Sequence, residues 1–522
     1  MKNTLFALLI TVSTTFSFAQ PTGGSGVTDD QLQLNTITTA LPFMAITPDS
    51  RAGGMGDAGT ALSPSSSSVY WNTSILSFAE KTSEISLSYT PWLRQLTNDI
   101  HLSYLSGYYR INETHSVGGA LRYFSLGEIT FTDASGNVIR DDKPSEFELT
   151  GAYAFRLSNH FSLGINGKFA YSNLTGGLTV GGVNTKAGVV GAADLSFSYY
   201  NDDAKIGNLN GVYTFATTIN NIGNKVAYTE LSSRDFIPMN LKIGNSFLAK
   251  FDAYNNVTFS LDIQRLLVPT PPFYDVIDGD VVMLAGMDPD VGVINGMLQS
   301  FYDAPGAVAT DENGDYIQDS EGNYEEVSGS RFKEELSEIN VAFGVEWWYN
   351  DVFAVRTGVF YESPNKGNRQ FLNLGASLKY NMFSIDFSYL ASLSGRQSPL
   401  ANTLRFTVRL DLDQAGTNSN PKDGIMAYNL NFDGFSKDEV LAMEEYLVIF
   451  SGYKSHRINY SGATRTEYWY KSDIGSAKLD RNLNKLLNRL NLRGMVQGTG
   501  NTYTVKKISL RNKKPEITPS DW

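Results

Sequence analysis

Fourteen segments between residues 83 and 412 alternate apolar and polar side chains with a period of two. In the last of them, Leu404, Phe406 and Val408 share one face, and Arg405 and Thr407 share the other. Each segment is about 9 to 12 residues long, which is the length that a tilted strand needs to cross a bilayer. The alternation therefore predicts an all-β transmembrane barrel of 14 antiparallel strands.

The connections between these segments alternate in length. The expected strands are 83–90, 99–109, 115–125, 145–156, 160–171, 188–200, 211–221, 239–249, 255–264, 338–348, 352–361, 370–380, 383–391 and 402–411. The even-numbered connections are short, at 110–114, 157–159, 201–210, 250–254, 349–351 and 381–382, which is typical of periplasmic turns. The odd-numbered ones, of which 265–337 is the longest, are expected outside the cell, and both chain termini in the periplasm.

A large soluble β-sandwich or a propeller would also show alternating strands. Two features favour the barrel: the connections alternate in length, and no blade-length repeat is present. The content of 28 Tyr, 30 Phe and 6 Trp also favours it, because aromatic girdles mark both membrane interfaces of a barrel. Residues 1–19 carry Lys2, an apolar run and Ser17-Phe18-Ala19, which predicts a signal peptide and hence export to the outer membrane.

Composition excludes several classes of site. The sequence has no cysteine, so disulfides, a lipoprotein anchor and cysteine zinc sites are ruled out. The net charge of -12 disfavours nucleic acid as a partner. The four histidines show no metal-ligand spacing, and Asp311–Asp315, which resembles the start of a calcium loop, has Gly322 where the loop needs Glu. We therefore expect no catalytic residues, no metal and no cofactor.

Four regions are expected: the signal peptide at 1–19, an N-terminal segment and lumen plug at 20–82, the barrel at 83–412, and a linker with a C-terminal periplasmic α/β module at 413–522. In the last region, Ser436 and Glu439 form a capping-box pattern, and Leu479, Leu483, Leu486 and Leu490 share a helical face. Strand-like runs surround both helices, so the order predicts a small split β-α-β module of ferredoxin-like type.

One glycine-rich motif ahead of the barrel resembles a nucleotide-binding sequence. The sequence Gly54–Gly59 matches G-x-G-x-x-G, but it lacks the preceding strand and following helix of a dinucleotide site. Its glycines are better explained by a compact backbone inside a crowded lumen.

Charged side chains on the inward faces of the barrel are expected to neutralise one another: Arg122, Glu148, Lys168, Asp386, Arg405 and Arg409.

The residues ahead of the barrel, at 36–43 and 48–59, resemble the N-terminal signature of the PorV family, the outer-membrane shuttle proteins of the type IX secretion system. That family is similar to FadL-type barrels of 14 strands, whose N-terminal segment plugs the lumen. Val69–Asn72 resembles the W-N-P-A element of these barrels, with Thr73 and Ser74 in place of Pro-Ala. The resemblance implies a lumen plug that includes Arg51, Gly53, Gly54, Gly56, Asp57, Gly59, Trp71 and Asn72.

The same resemblance implies a non-enzymatic protein that docks on the large translocon barrel (SprA/Sov-like) and captures the C-terminal signal domain of cargo. It would pass the cargo to a surface sortase (PorU-like), with membrane lipids around the barrel. Candidate partner-contacting residues are Trp92, Pro269, Pro271, Pro272, Phe273, Tyr274 and Tyr302. Two alternatives remain open: a FadL-type channel for hydrophobic small molecules, which a kinked strand and an apolar pocket near the plug would support, and a structural barrel with a periplasmic anchor domain.

Overall fold

The structure, a computed structural model, describes residues 35–508 except 93–98, 133–134, 175–176, 178, 181–182, 208, 230–233, 253, 312, 395–401, 416–425, 451, 463, 473, 475 and 500. The expected signal peptide, most of the linker at 414–421 and the last 14 residues lie outside the described residues.

Fourteen antiparallel strands form a closed barrel, because β1 pairs with both β2 and β14. The strands are β1 (Ser83–Pro91), β2 (Ile100–Arg110), β3 (His115–Leu126), β4 (Ser145–Arg156), β5 (Phe161–Asn173), β6 (Gly188–Ile206), β7 (Leu209–Gly223), β8 (Asn240–Lys250), β9 (Asn255–Leu266), β10 (Asn340–Tyr349), β11 (Phe353–Tyr361), β12 (Gln370–Tyr380), β13 (Phe383–Ser392) and β14 (Thr403–Asp411). The predicted barrel is confirmed.

The sixth strand differs most from its predicted bounds. It continues to Ile206, so the turn expected at 201–210 shrinks to the two residues 207–208. The pairing of β6 with β7 shifts register between Asn201 and Ala204, and this irregularity accommodates Asp202 and Asp203 within the strand. The sequence Asp202-Asp203 is typical of a turn, because Asp side chains favour turn positions.

The two faces of the wall differ as the alternation predicts. In β5, Leu163 and Ile165 are 46% and 50% exposed, whereas Ser162, Asn166 and Lys168 are buried. Large apolar side chains therefore point outward and polar side chains point into the lumen, which is the arrangement of a barrel surrounded by lipid.

Short elements occupy the long connections and the residues ahead of the barrel. The long connections carry hairpins at Ile129–Thr132 and Val138–Asp142, Thr179–Val180 and Val183–Asn184, and Phe273–Ile277 and Asp280–Ala285, with helices at Val293–Gln299 and Ser330–Ser337. Short helices also lie at Pro42–Ala45, Ser50–Gly53, Ser68–Trp71, Thr73–Phe78 and Leu412–Ala415. No helix within the described ranges is both long enough and apolar enough to cross a membrane.

The C-terminal residues form a separate five-stranded sheet with two helices. The elements are β15 (Met426–Asp433), α1 (Lys437–Leu447), β16 (Tyr453–Ser461), β17 (Arg465–Ser472), α2 (Ser476–Arg489), β18 (Gly494–Thr499) and β19 (Thr502–Lys507). The strand order in the sheet is β16-β17-β15-β19-β18. Because β17 pairs antiparallel with both β15 and β16, the first unit is a split β-α-β. The second half departs from the ferredoxin-like order, since β18 turns back into β19 and β19 pairs parallel to β15.

Both helices pack on one face of this sheet. Their buried side chains, such as Met443 and Leu483, meet Tyr428, Phe432 and Val505 of the strands in one core. The predicted capping box is present, because Ser436 Oγ accepts from Glu439 N at 3.3 Å and the Glu439 carboxylate accepts from Ser436 N at 2.8 Å. Hydrogen bonds from Lys507 and from Ser436 lower the pKa of Glu439 below its usual value.

Candidate functional site

The lumen segment, defined as residues 35–82, runs through the barrel from one end to the other. At the end with the long connections, Asn35 N donates to Asn365 O at 3.0 Å and Asn35 Nδ2 donates to Pro271 O at 3.1 Å. At the end with the short turns, Arg110 Nη1 donates to Ala79 O at 2.7 Å. The segment therefore spans the length of the lumen before it joins β1.

This path bears on the expected orientation of the chain ends. The expectation that both termini lie in the periplasm concerns residues outside the described ranges and stays a prediction. The described chain, however, begins at the end with the long connections, and β14 finishes at Asp411 at the end with the short turns. No pattern in the sequence indicates this difference, because the direction in which a segment crosses a lumen leaves no periodic signal.

Asp49 organises the start of the signature. Its carboxylate accepts from Ala52 N at 3.0 Å and caps the short helix Ser50–Gly53. Its other oxygen accepts the indole N–H of Trp71 at 2.7 Å. Ser50 N donates to Thr407 Oγ1 of β14 at 2.9 Å, which fixes the helix to the wall.

Arg51 begins a chain of buried ion pairs. Its Nη2 lies 2.8 Å from Glu346 Oε1 of β10, and the other Glu346 oxygen lies 2.5 Å from Arg356 Nε of β11. Arg356 Nη1 is 3.2 Å from Asp386 Oδ1, and Arg409 Nε is 2.8 Å from Asp386 Oδ2. Loss of one partner from a buried ion pair typically costs about 3–5 kcal/mol, so this chain ties the lumen segment to four strands of the wall.

The glycines of the signature lie against the wall with little space. Gly56 has a φ of 71°, and a Cβ there would lie 2.5 Å from Val359 O. A Cβ on Gly59 would lie 2.3 Å from the Trp71 ring. Gly53 and Gly54 face Arg405 and Gly375 of the wall in the same way. These four positions are occupied by glycine because the backbone approaches its neighbours too closely for a side chain.

The remaining predicted residues of the segment also contact the wall or its own backbone. Asp57 lies 3.6 Å from Arg405 through Oδ1 and Nη1, and its backbone carbonyl accepts from Gln264 at 3.3 Å. Asn72 Nδ2 donates to Thr60 O at 3.0 Å and to Ser198 Oγ at 2.8 Å. All eight residues expected in the plug therefore lie within the lumen segment and make contacts there or with the wall.

Buried cations lie against the aromatic residues of the segment. Arg122 is fully buried, donates to Phe43 O at 2.9 Å and Met44 O at 2.7 Å, and lies 4.6 Å from the Tyr70 ring centre. Lys242 Nζ lies 4.4 Å from the Trp71 ring centre. Each such contact stabilises the packing by about 0.5–2 kcal/mol.

Several of these residues were not recognised in the sequence. Glu346 and Arg356 occupy inward positions of β10 and β11, and Lys242 occupies one of β8, so strand parity alone could have marked them as lumen residues. Their partners in the lumen segment could not be inferred, since that segment has no regular period.

The predicted partner-contacting residues have unequal exposure. Tyr274 and Tyr302 are about half exposed, at 49% and 54%. Pro269 and Pro272 are buried, and Trp92 is half-buried with its ring edge-on to Phe124 at 5.3 Å. Pro271 and Phe273 are also half-buried. The expectation of a set of exposed aromatics therefore holds only for the two tyrosines, because the proline-rich element packs into the mouth of the barrel.

Exposed apolar side chains instead lie further along the same connection. They belong to the hairpin after β9 and to the two helices that follow, and the most exposed are Val276, Val281, Ile294, Leu298 and Phe332. Within the described ranges, no three His, Asp or Glu side chains are grouped as a metal ion would need.

A sequence model of the family described as "Type IX secretion system protein PorV" matches residues 28–273. No curated protein matches the chain. Similar solved structures include the toluene transporter TbuX of Ralstonia pickettii (13% identity, covering 70% of this chain and 96% of that one, TM-score 0.36). A second is the toluene transporter TodX of Pseudomonas putida (11% identity, covering 72% of this chain and 98% of that one, TM-score 0.38). A third is a FadL homologue of Pseudomonas aeruginosa (12% identity, covering 70% of this chain and 99% of that one, TM-score 0.34).

The matched residues include the whole lumen segment, which carries the signature, and strands β1–β9. A closed antiparallel barrel with an apolar outer face is the architecture of outer-membrane proteins. The family resemblance predicted from residues 36–59 is thus confirmed over residues 28–273, which match the PorV family of type IX secretion system proteins, and the fold is that of an outer-membrane barrel.

Proposed function

We propose that this protein docks on the large barrel of the type IX translocon, captures the C-terminal signal domain of cargo proteins and passes them to the surface attachment machinery. The observation that carries the proposal is the lumen segment, which extends through the barrel and is tied to the wall by buried ion pairs. A barrel filled in this way is suited to binding proteins at its surface.

The surface for this binding is the ninth connection, between β9 and β10. Val281 and Phe332 are 73% and 69% exposed there, and Leu298 is 60% exposed. Exposed apolar side chains in an otherwise acidic connection favour protein contacts, since apolar and aromatic anchors contribute most of the binding energy at interfaces. Tyr274 and Tyr302 extend the same surface.

The proposed orientation has the long connections outside the cell and the C-terminal module in the periplasm, as a partner for periplasmic components. An epitope inserted at Gly314 tests this orientation, because a Cβ there would meet nothing within 4 Å and its φ of 90° marks a turn. The epitope should bind antibody on intact cells, and a tag at the C-terminus should bind only after the outer membrane is opened. The reverse pattern would overturn the orientation.

Copurification tests the docking surface. The double variant Leu298→Ser and Phe332→Ser should lose translocon and cargo proteins from detergent-solubilised membranes, as measured by mass spectrometry against the unmodified protein. The matched control is Ile449→Ser, which removes an exposed apolar side chain, 71% exposed, from the C-terminal module. Equal recovery of partners with the double variant and the control would contradict the proposed surface.

The second candidate function is diffusion of a hydrophobic small molecule through the wall. A register shift between Ala193 and Leu195 interrupts the pairing of β6 with β7. An apolar groove of about 450 Å³ lies next to it and is lined by Tyr153, Phe155, Leu163, Ile165, Leu195 and Phe197. Uptake of a labelled aromatic hydrocarbon into vesicles containing the purified barrel, above the rate of empty vesicles, would favour this function over protein docking.

A further inference from the structure

The ninth connection lies over an apolar surface at the outer mouth of the barrel. We call residues 267–339 the outer cap, and the buried side chains beneath it the outer floor: Leu41, Phe43, Met44, Leu102, Phe124, Phe236, Ile237 and Met239. Val268 of the cap is buried against this floor, and Val293 and Met297 pack on it. At Gly296 the approach is so close that a Cβ would lie 2.7 Å from the Phe236 ring.

Two cations outside the cap hold it in place. Arg265, at the end of β9, pairs with Glu335 and lies 2.8 Å from Glu338 through Nη2 and Oε2. Lys366, in the connection between β11 and β12, lies 2.6 Å from Glu334 Oε1 and 3.0 Å from Glu338 Oε1. All five side chains are at most 16% exposed, so solvent and salt screen these pairs only weakly. We call this group the latch.

A third cation outside the cap contacts it at another point. Lys225, in the connection after β7, lies 3.0 Å from Asp290 Oδ1 and donates to Val291 O at 3.3 Å. Its Nζ also lies 4.5 Å from the ring centre of Phe236, which belongs to the outer floor. The cap is therefore held by cations of separate connections of the barrel, in addition to its apolar contacts with the outer floor.

The charge of the cap opposes its closed position. Residues 267–339 contain 16 Asp and Glu against two Lys and Arg, a net charge of -14, which exceeds in magnitude the -12 of the whole chain. Concentrated charge of one sign destabilises a compact arrangement through self-repulsion. Asp303 adds a local cost, since it is only 1% exposed and its Oδ1 has no hydrogen-bond partner among the described residues.

Attraction to the external cations and repulsion within the cap therefore act in opposite directions on its closed position. We propose that the outer cap is a releasable lid, latched by Arg265 and Lys366, that controls access to the outer floor. When the latch opens, the floor presents apolar side chains of the lumen segment together with those of the wall. The proposal does not depend on the identity of any secretion partner, so its failure would leave the proposed function intact.

Thiol labelling tests the lid, and the absence of cysteine from the chain makes it specific. Met44→Cys places one thiol in the floor, where the native side chain is 1% exposed. In the full-length protein in detergent micelles, this thiol should react slowly with a maleimide. Adding Arg265→Gln with Lys366→Gln should accelerate the labelling by about tenfold or more, because the labelling rate follows the population of the open state.

The matched control is Arg331→Gln, which removes one cation from an ion pair with Glu326 that lies entirely within the cap. It should leave the labelling rate within about twofold of the Met44→Cys protein. If neither the latch variant nor the control labels faster than the Met44→Cys protein, the proposal that the cap is a releasable lid is contradicted. If both label faster to the same extent, the cap is loosened generally, and the role given to Arg265 and Lys366 is contradicted. Should the double variant fail to give a heat-modifiable barrel, Lys366→Met alone, which keeps Arg265, is judged by the same criteria.

Discussion

The indole N–H of Trp71 donates to Asp49 Oδ1 at 2.7 Å, so the start of the glycine-rich signature and the helix Ser68–Trp71 are joined by one buried hydrogen bond. Asp49 caps the helix that carries Arg51, and Trp71 covers the face of Gly59. The bond therefore links two parts of the lumen segment to each other without involving the wall.

Trp71→Phe keeps an aromatic ring but removes the donor to Asp49. Leaving a buried carboxylate oxygen without its partner should destabilise the folded barrel by about 1–3 kcal/mol. The measurement is the temperature at which the protein loses its compact mobility in gel electrophoresis. Trp347→Phe is the control, because the Trp347 indole donates to Asn255 at the exposed rim; a similar decrease in both variants would contradict the role given to Trp71.

Glu346→Gln removes the carboxylate shared by Arg51 and Arg356. Both guanidinium groups would then remain buried with less compensating charge, and we expect a loss of about 3–5 kcal/mol in the free energy of unfolding. Urea titration of the refolded barrel measures this loss. Glu326→Gln, which weakens a half-exposed pair with Arg331, should cost less than about 1 kcal/mol. Equal midpoints for the two variants would show that the buried ion-pair chain contributes little.

Gly56→Ala adds one methyl group where the φ is 71° and the nearest wall atom would be 2.5 Å from it. The backbone strain and the clash with Val359 should lower the yield of heat-modifiable barrel in the outer membrane, and Gly56→Trp should lower it further. Gly151→Ala is the control, since a Cβ there meets nothing within 4 Å. A wild-type yield from both Gly56 variants would contradict close packing of the lumen segment.

The strands and the lumen segment differ in how far sequence could predict them. Side chains such as Leu163 and Asn166 alternate because one face meets lipid and the other the lumen, so the period itself encodes the wall. Arg51 and Glu346 meet across 295 residues of sequence, and no local pattern encodes that pairing. The burial of Pro269 and Pro272 was likewise not evident in the sequence, since their neighbours Gly296 and Gly286 lie further along the same irregular connection.

Acidity should favour the closed position of the outer cap. Burial raises the pKa of Asp303 to about 6, and burial also raises the pKa of Glu338, whereas both groups would titrate near their ordinary values once the cap is released into water. The closed state then binds protons more tightly, so its stability is greatest below pH 4 and falls as the pH rises to about 6. Around Asp303 lie Thr270, Gln299 and Glu338, and Glu338 also faces Arg265 and Lys366.

The labelling rate of Met44→Cys measures this pH dependence. Division by the rate of a Gly314→Cys protein, whose thiol lies on an open turn, removes the effect of pH on thiol reactivity. The corrected rate should rise several-fold between pH 4.5 and pH 7, and it should change less in an Asp303→Asn protein. A corrected rate that falls with rising pH would contradict the assigned sign.

The C-terminal module should be separable from the barrel if the cut preserves one contact. The Asp413 carboxylate accepts from Thr82 N at 2.6 Å and from Ser83 N at 3.1 Å, at the point where the lumen segment becomes β1. A chain that ends after Ala415 keeps this contact and should still insert as a heat-modifiable barrel. A chain that ends after Asp411 keeps every residue of β14 but loses the contact, and it should insert less efficiently.

The isolated residues 422–510 should be soluble with mixed helix and sheet by circular dichroism, because the buried side chains of α1, α2 and the sheet form a core of their own. Failure of the longer barrel chain together with an unfolded isolated module would show that the two regions form a single cooperative structure.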